Sequence, residues 1–389
     1  MTEYLETYLS SEWTLYLLPL LGFFLGYKFS RRRLRKQKKH LRFSNDYFQG
    51  LNYLLNDQQD KALDIFIKLV ETDWETIDTS LALGAIFRRQ GEIDKAIKLH
   101  QNLLARPSLP VEYKSTVLIS LAKDYLQAGW LDRAESLFKD VLVDEEFAEE
   151  AQQCLMSIYE REQEWQKAIN IARRFQRRGD SRLAALIAQY YCELSQQALQ
   201  QNDPKEAEAL ATQALTSDKN CVRASIILAD LAISRVRYQK AIRFLRQVEI
   251  QDIQLFSLVV DKLIQCYRNL SNLNRALSYL KTLDKKYPEI SLLPVLTELI
   301  EEIYGPEDAL QYLSERVLER PSLGALKTLL RLQESLMVYS SDGMLSEVVT
   351  AIRDHHHDFQ CSHCGYAANT HIWLCPSCHS WSTMTPKPN

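Results

Sequence analysis

The chain has 389 residues, enough for two or three domains, and its low glycine and proline content, 11 each, favours helices. The net charge of −3 is uneven, because residues 1–42 hold nine Lys or Arg against three Glu, which leaves +6 there and −9 over residues 43–389. An acidic body of this size argues against general nucleic-acid binding, which depends on neutralising phosphates.

The first predicted element is a membrane anchor over residues 13–29. This stretch, WTLYLLPLLGFFLGYKF, is uncharged up to Lys28, and as a helix it would be ~25 Å long, near the lower limit for a span. The basic run RRRLRKQKKHLR follows, so the positive-inside rule predicts residues 1–12 outside, residues 30–42 as a basic juxtamembrane segment, and the rest in the cytoplasm. A buried helix is the alternative. A secretory signal peptide would carry its positive charge before the apolar run.

A repeat follows, recognisable by small residues at a regular spacing. A short polar phrase precedes an alanine eight times, at intervals of 33 to 39 residues: Ala62, Ala96, Ala134, Ala168, Ala207, Ala241, Ala276 and Ala309. Twelve residues before an alanine several copies have a second small residue, Gly50, Gly84, Ala122 and Ala229, and nine before it an aromatic, Tyr53, Phe87, Tyr125, Tyr159 and Tyr267. This spacing predicts paired helices that approach closely at their small residues.

The pattern resembles the tetratricopeptide repeat, a pair of antiparallel helices of about 34 residues. The resemblance covers residues 43–315 and implies an all-α stack of hairpins, because no single hairpin buries its apolar face alone. We expect loops at the two longer intervals, near residues 106–110 and 177–182, where Pro or Gly occurs. Residues 316–354 are predicted to be a helical extension that leads into the C-terminal segment.

The repeats predict protein binding rather than catalysis. The sequence contains no nucleophile elbow, P-loop, His-Glu-x-x-His or dinucleotide-binding motif, so we expect a protein that is not an enzyme. His100 stands where the repeat pattern expects an apolar or aromatic residue, and we interpret it as structural. Trp74, Trp130 and Trp165 lie at repeat edges, where packing is the first interpretation and anchoring of a partner is the second.

The last predicted element, residues 355–389, contains two Cys-x-x-Cys pairs with ten residues between them. The spacing predicts one tetrahedral metal site with four thiolate ligands, Cys361, Cys364, Cys375 and Cys378, and a redox dithiol is the alternative. The metal would supply most of the folding energy of so small a domain. The other cysteines are spread singly among apolar helical residues, which indicates small core side chains in a reducing compartment: Cys154, Cys192, Cys221 and Cys266.

The two pairs, CSHCGY and CPSC, resemble the metal-binding turns of rubredoxins, and this likeness implies iron. The likeness is incomplete, because the turns are closer together in sequence and His379 follows the second pair where glycine is expected. Zinc suits four thiolates equally well and stays the alternative. The histidines around the module are not needed as ligands: His355, His356, His357, His363, His371 and His379.

The order of the parts, the tail CGYAANTHIWLCPSCHSWST and the phrase NYLLNDQQDKALDIF resemble the lipopolysaccharide assembly protein B family of Gram-negative bacteria. The resemblance spans nearly the whole chain. It implies an inner-membrane adaptor, with its bulk on the cytoplasmic side, that regulates lipopolysaccharide synthesis. The implied partners are a membrane-anchored AAA+ protease, the deacetylase that commits precursors to lipid A, and a membrane protein that senses lipopolysaccharide. The adaptor would promote degradation of the deacetylase and coordinate the synthesis enzymes.

Two other functions stay open from the residues alone. The chain could be an electron-transfer protein with an iron centre on a repeat scaffold, although no flavin or nicotinamide motif accompanies it. It could also be a general membrane scaffold for an envelope complex, which only the family resemblance distinguishes from the adaptor. The sequence leaves open whether the chain forms a homodimer and whether lipopolysaccharide binds to it directly.

Overall fold

A computed structural model describes residues 49–50, 52–53, 61, 65, 77–107, 109–176, 181–288, 290, 292–317, 322–336 and 358–387. The predicted anchor at 13–29 and the basic segment at 30–42 lie outside these residues, as do Trp74 and most of the first predicted repeat. Among the helices that the structure describes, none is long and apolar enough to cross a membrane.

The described chain is mostly helical and falls into two compact units, Met1–Ile158 and Tyr159–Asn389. The first unit contains α1 (Ile77–Arg89), α2 (Ile93–Leu104), α3 (Val111–Gln127), α4 (Leu131–Val141) and most of α5 (Ala148–Arg161). The second contains α6 (Trp165–Phe175), α7 (Ser181–Gln200), α8 (Pro204–Ser217), α9 (Val222–Ser234), α10 (Tyr238–Gln251), a 3-10 helix (Ile253–Leu258), α11 (Val260–Asn269), α12 (Leu273–Lys286), α13 (Leu293–Tyr304), α14 (Pro306–Val317) and α15 (Leu323–Ser335).

The small residues that define the repeat lie where the helices of a hairpin meet. All the repeat alanines that the structure describes are completely buried: Ala96, Ala134, Ala168, Ala207, Ala241, Ala276 and Ala309. The aromatic residues of the pattern are also buried at Tyr125, Tyr159 and Tyr267. The hairpin prediction is therefore confirmed over this range, and a side chain larger than a methyl group has no room at the alanine position.

Six of the hairpin turns that the structure describes have the same backbone conformation, five residues before the alanine. The residues there have positive φ: Gly91, Gly129, Gln163, Asn202, Val236 and Ser271. In the first of these turns the N–H of Glu92 donates to the carbonyl of Phe87 at 2.9 Å, and the same bond recurs in the others. This is the Schellman ending of a helix, which satisfies carbonyls that the helix leaves open. Only two of the six positions are glycine.

His100 is a buried structural residue, as predicted. Its side chain is fully buried against Gly84, and its Nδ1 donates to Oδ2 of Asp124 at 2.5 Å. The other carboxylate oxygen of Asp124 accepts from Arg88 at 2.6 Å. The three residues come from α2, α3 and α1, so a charged network joins two successive hairpins of the first unit.

The expected loops and the extension are partly described. Residues 105–107, 109 and 110 lie between α2 and α3, where a loop was predicted, whereas most of the second insertion lies outside the described residues. The extension contributes α15, and residues 337–357 lie outside. Cys192, Cys221 and Cys266 are buried and free, as expected of small core side chains. The sulfur atoms of Cys192 and Cys221 lie 3.8 Å apart in the core of the second unit. They are separated by 29 residues, so spacing along the chain hides their proximity.

A small C-terminal module, residues 358–387, ends the second unit. Its three short strands, β1 (Phe359–Cys361), β2 (Ala367–Ala368) and β3 (Met384–Pro386), form an antiparallel sheet in the order β2-β1-β3. Its buried core consists of Cys361, Cys375 and Met384. So little apolar burial cannot stabilise a domain by itself.

Candidate metal centre

Two turns of equal geometry carry the four cysteines. In the first turn the N–H of Gly365 donates to the carbonyl of Cys361 at 2.9 Å, and in the second the N–H of His379 donates to that of Cys375 at the same distance. Gly365 has φ +79° and His379 has φ +55°. His379 thus adopts the left-handed conformation that glycine adopts in the first turn. The departure from the rubredoxin pattern at this position leaves the fold of the turn unchanged.

The turns bring the four sulfur atoms together. All four lie within 4.8 Å of one another, with Cys361 and Cys378 at 3.8 Å and Cys364 and Cys375 at 3.6 Å. Four sulfurs at 2.3 Å from one central ion would be about 3.8 Å apart at the corners of a tetrahedron. The donor set therefore fits a tetrahedral metal ion, and its geometry suits zinc and iron alike.

Hydrogen bonds around the sulfurs favour negative charge on two of them. The hydroxyl of Thr383, 3.2 Å from Sγ, lowers the pKa of Cys361. The side chains of Ser380 and His363 lower the pKa of Cys378 to about 5. At Cys364 the N–H of Tyr366 favours the thiolate, but burial and the neighbouring thiols raise the pKa to about 11. Thiols this crowded cannot all ionise without a cation among them, which is the chemistry of a metal site.

The histidines stand beside the cluster rather than in it. In the described part of the chain the potential ligand group contains the four cysteines and no histidine. His371 packs between Phe359 and Trp373, with ring centroids 5.5 and 4.3 Å away. Burial lowers the pKa of His371, so this ring is neutral at physiological pH. His355, His356 and His357 lie outside the described residues.

The module is docked on the helices of its own unit through Trp381. The indole ring lies 6.2 Å from Trp165 and 6.1 Å from Tyr190 in edge-on contacts, and Trp165 is itself 5.8 Å from Tyr190. The indole N–H donates to Oε1 of Glu160 at 3.1 Å, and the hydroxyl of Tyr190 donates to the same oxygen at 2.6 Å. Trp165 is therefore a packing residue, and it packs against the C-terminal module of its own chain.

A buried arginine completes this contact. Arg223, only 4% exposed, donates to Glu193 and to Gln196, each at 2.8 Å. Its guanidinium lies 6.0 Å from the ring of Trp373 and 5.8 Å from that of Trp381, within the range of cation–π attraction. We call Glu160, Trp165, Tyr190 and Arg223 the docking patch.

Of the four residues of the docking patch, only Trp165 was predicted from the sequence to be a packing or anchoring residue. The partners of the other three lie on the module, far along the chain, and no periodicity marks them. One signal was available: Gln189 and Arg223 stand at the same place in successive repeats, eighteen residues before Ala207 and Ala241. A buried arginine at a repeat position is a departure that requires a partner.

Comparison with known proteins agrees with both parts of the fold. A family model described as a rubredoxin metal binding domain matches residues 359–386. Tetratricopeptide repeat models match residues 79–109 and 192–254. Among solved structures, the C-terminal part of a repeat-containing protein from Cytophaga hutchinsonii is 12% identical, with a TM-score of 0.40 over 73% of this chain and 99% of that one. That likeness is too weak to bear on function.

Two curated relatives match almost the whole chain. Lipopolysaccharide assembly protein B of Escherichia coli K12 is 33% identical over 375 residues, which are 94% of each chain. The protein of the same name from Haemophilus influenzae is 32% identical over 394 residues, 96% of this chain and 97% of that one. Each alignment is longer than the predicted repeat region, residues 43–315, and therefore extends beyond the repeats.

Proposed function

The chain belongs to the lipopolysaccharide assembly protein B family, and we propose that it is a non-catalytic adaptor in lipopolysaccharide assembly. The observation that carries the proposal is that relatives of this name match 94% or more of the chain. The repeat fold supports the adaptor part, because stacked helix hairpins build a surface for protein partners and bring no reacting groups of their own.

The finer proposal concerns the target. The adaptor promotes proteolysis of the deacetylase that commits precursors to lipid A, by a membrane AAA+ protease, and coordinates the synthesis enzymes. A membrane protein that senses lipopolysaccharide sets its activity. The apolar stretch 13–29 and the basic segment 30–42 support an inner-membrane anchor with the repeats on the cytoplasmic side. Tethering would raise the effective concentration of the adaptor near membrane-bound partners.

We propose that Cys361, Cys364, Cys375 and Cys378 hold one metal ion in a structural role. The ion would supply the folding energy that the small core of the module lacks. Metal analysis of the purified chain tests this proposal: one ion per chain is expected, and a folded module without metal would refute it. Visible thiolate-to-iron absorption would identify iron, and a colourless protein with one zinc would identify zinc.

A turnover experiment tests the function. In a Gram-negative strain depleted of its own family member, the half-life of the deacetylase is measured after protein synthesis is blocked. We expect the wild-type chain to shorten that half-life, and Cys375→Ser or Trp381→Ala to lose most of the effect. Cys266→Ser and Trp130→Ala are matched controls outside the cluster and the docking patch. An unchanged half-life with the wild-type chain at normal level would refute the adaptor proposal.

A further inference from the structure

Two cysteines of the second unit lie side by side in its core. Cys192, on α7, is completely buried, and Cys221, the residue before α9, is 3% exposed. Their sulfur atoms are 3.8 Å apart. Neither residue belongs to the four-cysteine cluster. The distance equals that between sulfurs around a metal, but the described residues supply no further ligand here, so a pairwise chemistry fits the site better.

The two thiols have different surroundings. Cys221 accepts the hydrogen bond of Cys192, which lowers its pKa, and the N–H of Ala224 at the start of α9 acts in the same direction. The amide of Gln189 also points at the sulfur of Cys221, at 3.7 Å. The same bond to Cys221, together with burial, raises the pKa of Cys192. One sulfur is thus prepared as a nucleophile and the other holds a proton, as in dithiols that exchange with disulfides.

We propose that Cys192 and Cys221 form a second sulfur site, a dithiol that a low-molecular-weight disulfide oxidises reversibly to an intrachain disulfide. The thiolate of Cys221 attacks one sulfur of the oxidant, and the oxidant's own S–S bond breaks to release one thiolate. Cys192 then loses its proton and attacks the sulfur of Cys221, which releases the second thiolate. The protein loses two electrons and two protons, and the oxidant becomes two thiols.

The docked module covers this site through one layer of side chains. Gln189, which contacts the sulfur of Cys221, accepts from Arg223 at 3.5 Å. Arg223 in turn lies against Trp373 and Trp381 of the module. Gln189 and Arg223 are 6% and 4% exposed, so this layer must open before an oxidant can reach the pair from the side of the module. Undocking of the module is the opening that the contacts indicate, and the rate of oxidation therefore depends on Trp381.

Peptide mapping of the full-length, metal-loaded protein tests the disulfide. The protein is incubated with oxidised glutathione, free thiols are alkylated, and trypsin then cleaves after Arg182, Lys205, Lys219 and Arg223. We expect peptides 183–205 and 220–223 to be linked, two hydrogens lighter than their sum, and to separate on reduction. Cys266→Ser, which removes a buried cysteine away from the pair, should leave the link intact, whereas Cys192→Ser should leave glutathione on Cys221.

In the wild-type protein, recovery of Cys192 and Cys221 as two alkylated thiols or as two separate glutathione adducts would overturn the proposal. The rate at which the disulfide forms tests whether the docked module limits access to the two cysteines. We expect Trp381→Ala to form the link at least tenfold faster than the wild type, and Trp130→Ala to form it at the wild-type rate. Equal rates in all three proteins would overturn the part of the proposal that assigns access to undocking.

Discussion

Replacing Gly84 by alanine tests why this repeat needs a glycine inside a helix. A Cβ atom at this position would lie 2.3 Å from Nε2 and 2.4 Å from Cε1 of His100. Real Cβ contacts are not this short, so the imidazole must move by about 1 Å or more. The ring has no free space, because it is fully buried and held by Asp124.

The cost can be assembled from three terms. Overpacking a close-packed core costs about 1–3 kcal/mol. Breaking the buried bond between His100 and Asp124 costs about 1–3 kcal/mol, because it leaves a charged acceptor with fewer partners. Alanine favours a helix over glycine by about 1 kcal/mol, which offsets part of this loss. We expect Gly84→Ala to destabilise the α1–α3 region by about 3 kcal/mol, equivalent to a change of about a hundredfold in local opening.

Hydrogen exchange read by mass spectrometry measures this opening region by region, which suits a repeat protein better than a single unfolding midpoint. The matched control is Gly324→Ala, where the new methyl would meet only the ring of Pro294 at 3.2 Å, and we expect little change. In a His100→Ala background the clash is absent, so Gly84→Ala should be neutral or stabilising. The reasoning is wrong if Gly84→Ala exchanges like the wild type, or if its cost is the same in both backgrounds.

Other features give measurable outcomes. Removing the metal with a chelator should abolish exchange protection in residues 358–387 while helical circular dichroism stays nearly constant; a module that stays protected would contradict a structural metal. Trp381→Phe keeps an aromatic ring but loses the hydrogen bond to Glu160, so we expect the docking of the module to weaken by about 1.5–3 kcal/mol. Amide hydrogens of α7 should then exchange faster, and unchanged exchange would contradict the role of this hydrogen bond in docking. Val236→Gly should raise the thermal midpoint, since a β-branched residue at φ +57° is strained by about 1 kcal/mol; a lower midpoint would refute the strain. Glu208 is bonded to Lys240 and to Arg235, which lowers its pKa, so its stabilisation is present above its unfolded pKa and is lost as pH falls through the folded value. Glu208→Gln should therefore be less stable than the wild type at pH 6 in urea denaturation, and the difference should shrink as the pH falls below the unfolded pKa. A difference that stays constant with pH would contradict the linkage.

Features that repeat along the chain could be predicted from sequence. The alanine spacing located every described hairpin, because the two helices of a hairpin approach closely at this position and leave room only for a methyl group. The cysteine spacing located the cluster, because two Cys-x-x-Cys turns can bring four sulfur atoms to one point. In both cases one physical requirement recurs at fixed intervals along the chain, so the same residue type recurs at those intervals in the sequence.

Features that depend on a single contact between distant parts of the chain have no regular spacing in the sequence and could not be predicted from it. Glycine occupies the left-handed position of the turns at Gly91 and Gly129, but no glycine marks it at Gln163 and Val236, where helix-ending hydrogen bonds outweigh the backbone cost. The pairing of Cys192 with Cys221 depends on how α7 packs beside α9, which spacing along the chain does not encode.

The hydrogen bond between Trp381 and Glu160 spans 221 residues of sequence, and this separation has a consequence for synthesis in the cell. At about 5–20 residues per second, Glu160 leaves the ribosome about 10–45 s before Trp381. Helix hairpins form from local contacts far faster than that. During this interval the nascent chain carries folded repeats with an uncovered aromatic patch around Trp165 and Tyr190. A chain that ends before the module keeps the patch uncovered permanently, so the covered surface distinguishes a finished protein from a truncated one.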